Sequence, residues 1–120
     1  MIKLKNYLIV VEDIERSKAF YWTMFDLFVV KDFGENVILS SGLVLQEKKT
    51  WEGLLGERAV VGNMTELFFE ESNFDAFLEK MEHENIKVVS EMLENSWGKR
   101  CIRIADPDGH LIEIAESGNI

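Results

Sequence analysis

Hydrophobic and polar positions alternate along residues 4–11, around β-branched and aromatic side chains, and predict a strand. Glu12 and Asp13 break the run, and Asp13 is a fitting N-cap for a helix beginning at Ile14. Apolar residues then recur at Ile14, Phe20, Tyr21, Met24 and Phe25, the spacing of an amphipathic helix. Residues 27–33 read as a strand, Gly34-Glu35-Asn36 as a turn, and residues 37–40 as the hairpin partner. Ser41-Gly42 turns the chain again into the strand 43–47. The order is β-α-β-β-β.

That order repeats. Residues 66–71 predict a strand and Ser72-Asn73 offers caps, while Phe74, Phe77, Leu78 and Met81 form a second helical stripe. Residues 87–90 predict a strand that the stretch around Met92 could extend. Asn95-Ser96-Trp97-Gly98 turns, and residues 100–105 run back. Asp106-Pro107-Asp108-Gly109 is a strong turn signal, because Pro fixes one φ and Gly permits a positive one. Residues 110–116 close the set. The first strands and helices map onto each other at an offset of about 60 residues and the last strands at about 67. Between the halves, residues 48–64 read as a Gly-containing connector carrying Trp51.

About 55 residues with one helix make too small a core to stand alone, so the halves should form a single domain over residues 1–120. Module one spans about 1–48, the connector about 49–64 and module two about 65–120. The expected fold is α+β: two tandem βαβββ modules forming a curved mixed β-sheet cup, with each helix covering one sheet face. Strand alternation sends Tyr7, Ile9, Val11, Leu43, Leu45, Leu67, Phe69, Ile102, Ile104, Ile112 and Ile114 to the helix side. It leaves Asn6, Leu8, Val10, Gln46, Glu66, Phe68, Glu70, Cys101, Arg103, Leu111, Glu113 and Ala115 in the cup.

Composition narrows the partners. Apolar residues make up 47% of the chain, enough for a real core and against disorder. Thirteen Lys and Arg against 22 Asp and Glu give a formal charge of −9, which repels phosphate backbones and anionic lipid. Nucleic acid and membrane are therefore not expected partners. The single cysteine, Cys101, cannot form an internal disulfide and fits a reducing compartment. With no apolar run of spanning length and no signal-peptide pattern at the N-terminus, a cytoplasmic protein is expected.

Two segments carry a family resemblance. Val11-Glu12-Asp13-Ile14-Glu15-Arg16-Ser17-Lys18-Ala19-Phe20-Tyr21 resembles the opening of the vicinal oxygen chelate superfamily, and so does Trp97-Gly98-Lys99-Arg100 followed by Asp106-Pro107-Asp108-Gly109-His110-Leu111-Ile112-Glu113. That superfamily holds glyoxalase I, extradiol dioxygenases, methylmalonyl-CoA epimerase, fosfomycin-resistance proteins and bleomycin-binding proteins. The resemblance implies two βαβββ modules, a homodimer, and, in the enzymes, a divalent metal held by inward residues of the first and last strands. By motif position those places fall on Asn6, Gln46, Glu66 and Glu113. Glu113 keeps the family's residue type, whereas the dioxygenases and fosfomycin-resistance enzymes have histidines where this chain has Asn6 and Glu66. No motif anchors the strand that carries Gln46.

Two amides and two carboxylates offer oxygen donors and no imidazole. Mg²⁺ or Mn²⁺ tolerates such a set, while Zn²⁺ or Ni²⁺ normally recruits nitrogen or sulfur. Arg103 points into the same cup and could neutralise Glu66 or Glu113 in place of a cation. Without metal, Glu66 and Glu113 are the candidate catalytic residues, as an acid/base pair if burial raises one pKa. His83 belongs to the charged side of its helix and His110 faces away from the cup. Cys101 beside Arg103 would favour thiolate, although a small buried hydrophobe is the plainer role. Trp51 and Trp97, read as loop residues, could wall an apolar pocket.

The expected ligand-binding residues are thus Asn6, Gln46, Phe68, Arg103, Trp51 and Trp97. The expected function is binding of a small organic ligand without a tightly bound metal, in a glyoxalase/bleomycin-resistance family protein. The alternative is a divergent lyase or isomerase of the lactoylglutathione lyase type, using Mn, Mg, Ni or Zn at Asn6, Gln46, Glu66 and Glu113.

Overall fold

Asp13 starts the first helix as its sequence suggests. In the computed structural model, which describes residues 1, 3–56, 65–94 and 98–117, its carboxylate accepts the Arg16 backbone N–H at 3.1 Å. Helix α1 (Ile14–Phe25) ends at Asp26, whose left-handed φ of 57° lets the Leu27 N–H reach back to the Tyr21 carbonyl. Asn73 repeats the cap for the helix Phe74–His83, accepting the Ala76 N–H at 3.1 Å. Each helix buries residues three and four apart: Ser17, Tyr21 and Met24 in the first, Phe74, Phe77 and Met81 in the second.

The chain divides into two compact units, Met1–Gly62 and Asn63–Ile120. In the first, β1 (Tyr7–Val11) pairs in parallel with β4 (Leu43–Glu47), and β4, β3 (Asn36–Leu39) and β2 (Val29–Asp32) are antiparallel neighbours, giving the order β1-β4-β3-β2. A tight turn, Ser40–Gly42, joins β3 to β4. Gly42 sits there at φ 83°, where an added Cβ would lie 3.3 Å from the Lys5 carbonyl oxygen. In the second unit β5 (Leu67–Glu71), β6 (Lys87–Glu94), β7 (Arg100–Ala105) and β8 (Leu111–Glu116) form the equivalent sheet, order β5-β8-β7-β6, with β5 and β8 parallel. Each unit is a βαβββ module with a four-stranded mixed sheet, the predicted α+β plan.

Most of the expected core is buried: Ile9, Val11, Leu43, Leu45, Ile102, Ile104, Ile112 and Ile114. Each such side chain contributes roughly 1.5–3 kcal/mol. Val37 and Leu39 join them from the hairpin. Leu67 and Phe69 are only half-buried, because β5 lies at the edge of its sheet. Tyr7, expected with the core, is 56% exposed. It opens the edge strand β1, where the apolar cover ends. β1 also begins three residues later than the alternation suggests, because its partner β4 starts only after Gly42 and leaves residues 4–6 nothing to pair with.

Two further differences matter. The connector begins with a helix, α2 (Lys48–Leu55), which places Trp51 on a helix rather than in a loop. No Pro interrupts that stretch, and the Thr50 hydroxyl donates to Glu47 Oε1 at 2.8 Å at its start. The helix Phe74–His83 is therefore α3. Strand β6 runs on through Met92 to Glu94, with register shifts on both sides of Ser90. No helix among the described residues is long and apolar enough to cross a membrane.

Candidate functional site

The second sheet gathers the chemistry. Ile102 and Ile104 of β7 turn to one face, which sends Cys101 and Arg103 to the other. In β8 the same alternation sends Ile112 and Ile114 to the first face and Glu113 to the second. The ladders set Arg103 directly opposite Glu113, and Glu113 beside Phe68 of β5. Glu66, two residues before Phe68, shares that face.

Arg103 lies between the two carboxylates. Its Nε donates to Glu66 Oε2 at 2.9 Å and its Nη2 to Glu66 Oε1 at 3.2 Å, a two-pronged grip. The same Nη2 donates to Glu113 Oε1 at 2.9 Å. The side chains of Arg103 and Glu66 are 32% and 28% exposed, whereas that of Glu113 is 8% exposed. The Arg103 hydrogen bonds hold the Glu66 carboxyl below the usual carboxylate range, against the opposing effect of burial. The Arg103 guanidinium is in turn pushed up, chiefly by its bonds to Glu66. An acid/base role for Glu66 would need its pKa raised; the guanidinium does the opposite.

Cys101 is 1% exposed. Burial, and then the Glu113 carboxylate, push its thiol up, and Arg103 pulls weakly the other way. Cys101 is thus the small buried side chain of the plainer reading, and the thiolate alternative is disfavoured: the nearby negative charge and the lack of solvent outweigh the guanidinium.

The metal-ligand positions of the resemblance fit a divalent ion poorly. Such an ion needs several oxygen lone pairs converging on one point. Glu66 gives both of its oxygens to Arg103 and Glu113 gives one. In the first module Gln46 Oε1 accepts from Asn36 Nδ2 at 2.9 Å, and its Nε2 donates to the Glu35 carbonyl at 3.3 Å. The ladders add a point that alternation alone does not reveal. Glu113 pairs with the second residue of β5, Phe68; the second residue of β1, Leu8, pairs with Val44. Val44 thus holds in the first sheet the place Glu113 holds in the second, and Gln46 corresponds to Ala115. A buried hydrocarbon stands where the resemblance asks for a donor. Asn6 is exposed just ahead of β1. Among the described residues no group of three or more His, Cys, Asp or Glu is arranged to hold a metal ion.

The remaining candidates lie apart. His83 is exposed at the end of α3, and the His110 backbone N–H donates to Asp106 Oδ1 at 2.9 Å in the β7–β8 turn. Trp97 lies outside the described residues.

The sequence profile of the glyoxalase-like domain matches residues 4–119. The chain belongs to that family. It is a member of the glyoxalase/bleomycin-resistance, or vicinal oxygen chelate, superfamily. No curated protein matches it. Among solved structures, a protein of unknown function from Agrobacterium tumefaciens str. C58 is 29% identical, with a TM-score of 0.83, covering 98% of this chain and 96% of that one. A glyoxalase-related enzyme from Fulvimarina pelagi is 20% identical with a TM-score of 0.80, covering 98% and 89%. A glyoxalase/bleomycin resistance protein/dioxygenase family enzyme from Burkholderia phytofirmans PsJN is 16% identical with a TM-score of 0.80, covering 93% and 96%. The last two share the fold.

One residue of this glyoxalase-like domain had no signal in the sequence. Ser90 lies across from Arg103 in the β6–β7 ladder, at the bulge, and its buried Oγ has no hydrogen-bond partner among the described residues. Only the register puts it beside the site.

Proposed function

We propose that this chain binds a small organic ligand on the second-sheet face carrying Glu66, Phe68, Arg103 and Glu113, without a tightly bound metal. The observation that carries this reading is the Arg103 guanidinium held between both carboxylates, in the role that a cation would otherwise fill. Phe68, 42% exposed beside Glu113, supplies apolar surface for a ligand body. The reading includes a cytoplasmic homodimer. Its support is the acidic composition, the single buried cysteine, and the edge strands β2 and β6 with exposed Val29, Val30, Val88 and Val89.

A second reading, a divergent metal-dependent lyase or isomerase, is supported by Glu113 keeping the family's ligand type. The Fulvimarina pelagi protein's description as a glyoxalase-related enzyme adds to that support. The two readings part on one experiment. Protein purified without chelator is assayed for metal content and then titrated with Mn²⁺, Ni²⁺ and Zn²⁺, following the melting temperature. The binder reading expects substoichiometric metal and no thermal shift. Near-stoichiometric metal, lost in Glu113→Gln, would overturn it.

A further inference from the structure

Resting on the binding reading above, we infer that the ligand is an organic cation, an ammonium group carried on a small apolar body. Arg103 supplies one positive charge to Glu66 and Glu113, so the cluster keeps a surplus negative charge. Arg103 is the sole nitrogen donor to Glu113 among the described residues, and it engages Oε1. Glu70 follows Phe68 on the same face of β5, at a distance of roughly 7 Å along the strand, and is exposed. An exposed aromatic ring with a carboxylate on either side is the arrangement that takes an ammonium: charge to the carboxylates, C–H groups to the ring face.

Ser90 is the independent observation. Its buried hydroxyl lacks a partner among the described residues, and a buried polar group without one costs on the order of 1–3 kcal/mol. Standing across the ladder from Arg103, at a bulge that redirects side chains, it offers lone pairs to an incoming N–H. An anionic ligand would meet two carboxylates and gain one already engaged guanidinium. Glu66, held in its ionised form by Arg103, keeps that repulsion in place through neutral pH.

The test uses three probes of one shape: 2-phenylethylammonium, its neutral N-acetyl derivative, and the anion 3-phenylpropionate, each titrated calorimetrically into the full chain at pH 7 and low salt. The ammonium is expected to bind at least about ten-fold more tightly than the other two. Glu113→Gln should remove that preference, Glu70→Gln reduce it about two- to three-fold, and Ser90→Ala weaken ammonium binding while sparing the neutral probe. Glu70 lies outside the Arg103 grip, so its variant reads the charge preference even where Glu113→Gln fails to fold. Equal affinity for ammonium and neutral probe, with both lost in Phe68→Ala, would overturn the cation inference and leave the binding reading standing. Tighter binding of the anion would overturn it equally. Absence of binding by all three would overturn both.

Discussion

Replacing Arg103 by methionine keeps the length of its aliphatic stem and removes the guanidinium. Three charge-assisted hydrogen bonds disappear together. The two to Glu66 are partly screened by water, since both side chains are about one-third exposed, and their loss should cost little. Glu113 is the expensive one, because its side chain is 8% exposed and loses its nitrogen donor while facing a second carboxylate. A fully buried pair broken this way costs about 3–5 kcal/mol, so about 2–3 kcal/mol is expected here at pH 7. In a domain of this size that lowers the melting midpoint by on the order of 10 °C. The pH dependence is the sharper readout. In the native chain Glu66 has a depressed pKa, so its stabilisation is present above the ordinary value of 4.5 and is lost as pH falls through the folded value. The variant behaves oppositely, since protonation relieves two carboxylates left facing each other. The stability gap, measured by urea unfolding followed by tryptophan fluorescence, should therefore narrow steadily from pH 7 to pH 4. A gap independent of pH, or one below about 0.5 kcal/mol at pH 7, would refute the placement of Arg103 between the carboxylates.

Other parts of the structure give further expectations. Asn73→Ala removes the cap on α3 and should destabilise by about 1 kcal/mol in urea unfolding; an unchanged midpoint would mean that Asn73 does not cap. Asp106→Ala strips the acceptor from the Asp108 and His110 N–H groups in the β7–β8 turn, and about 2 kcal/mol should be lost by thermal melt. Gly42→Ala combines a left-handed φ with a 3.3 Å approach to the Lys5 carbonyl, and about 1–2 kcal/mol is expected by the same assay. Cys101, buried with its thiol pushed up, should react with a disulfide reagent at pH 7 at least about ten-fold more slowly in the folded than in the urea-unfolded chain; equal rates would contradict its burial.

The strand and helix plan was readable wherever a local signal existed. Asp13 and Asn73 mark helix starts because a side-chain oxygen meets a backbone N–H only three residues away. Period-two alternation placed Ile102, Ile104, Ile112 and Ile114 on the buried face, and Asp106-Pro107-Asp108-Gly109 fixed the hairpin between them. Tyr7 and Trp51 were misplaced for the same reason. An edge position and a short helix replacing a loop depend on neighbours that are distant in sequence. For the site, alternation brought Glu66, Arg103 and Glu113 to one face and offered Arg103 a pairing with Glu66 or Glu113, but did not reveal that it holds both at once.

By itself the sequence therefore determined the two βαβββ modules, their caps and turns, the faces of the strands and the family. These rest on contacts within a few residues or on a fixed side-chain period. The tertiary structure alone decided three things: the two-pronged Arg103 grip on Glu66, 37 residues away in the chain; the match of Glu113 with Val44 rather than Gln46; and the hydroxyl of Ser90, unpartnered among the described residues. Each depends on ladder register, and register follows from how whole strands pair and where a bulge slips them. Moving a pairing by one residue keeps the same sequence and changes every cross-strand neighbour.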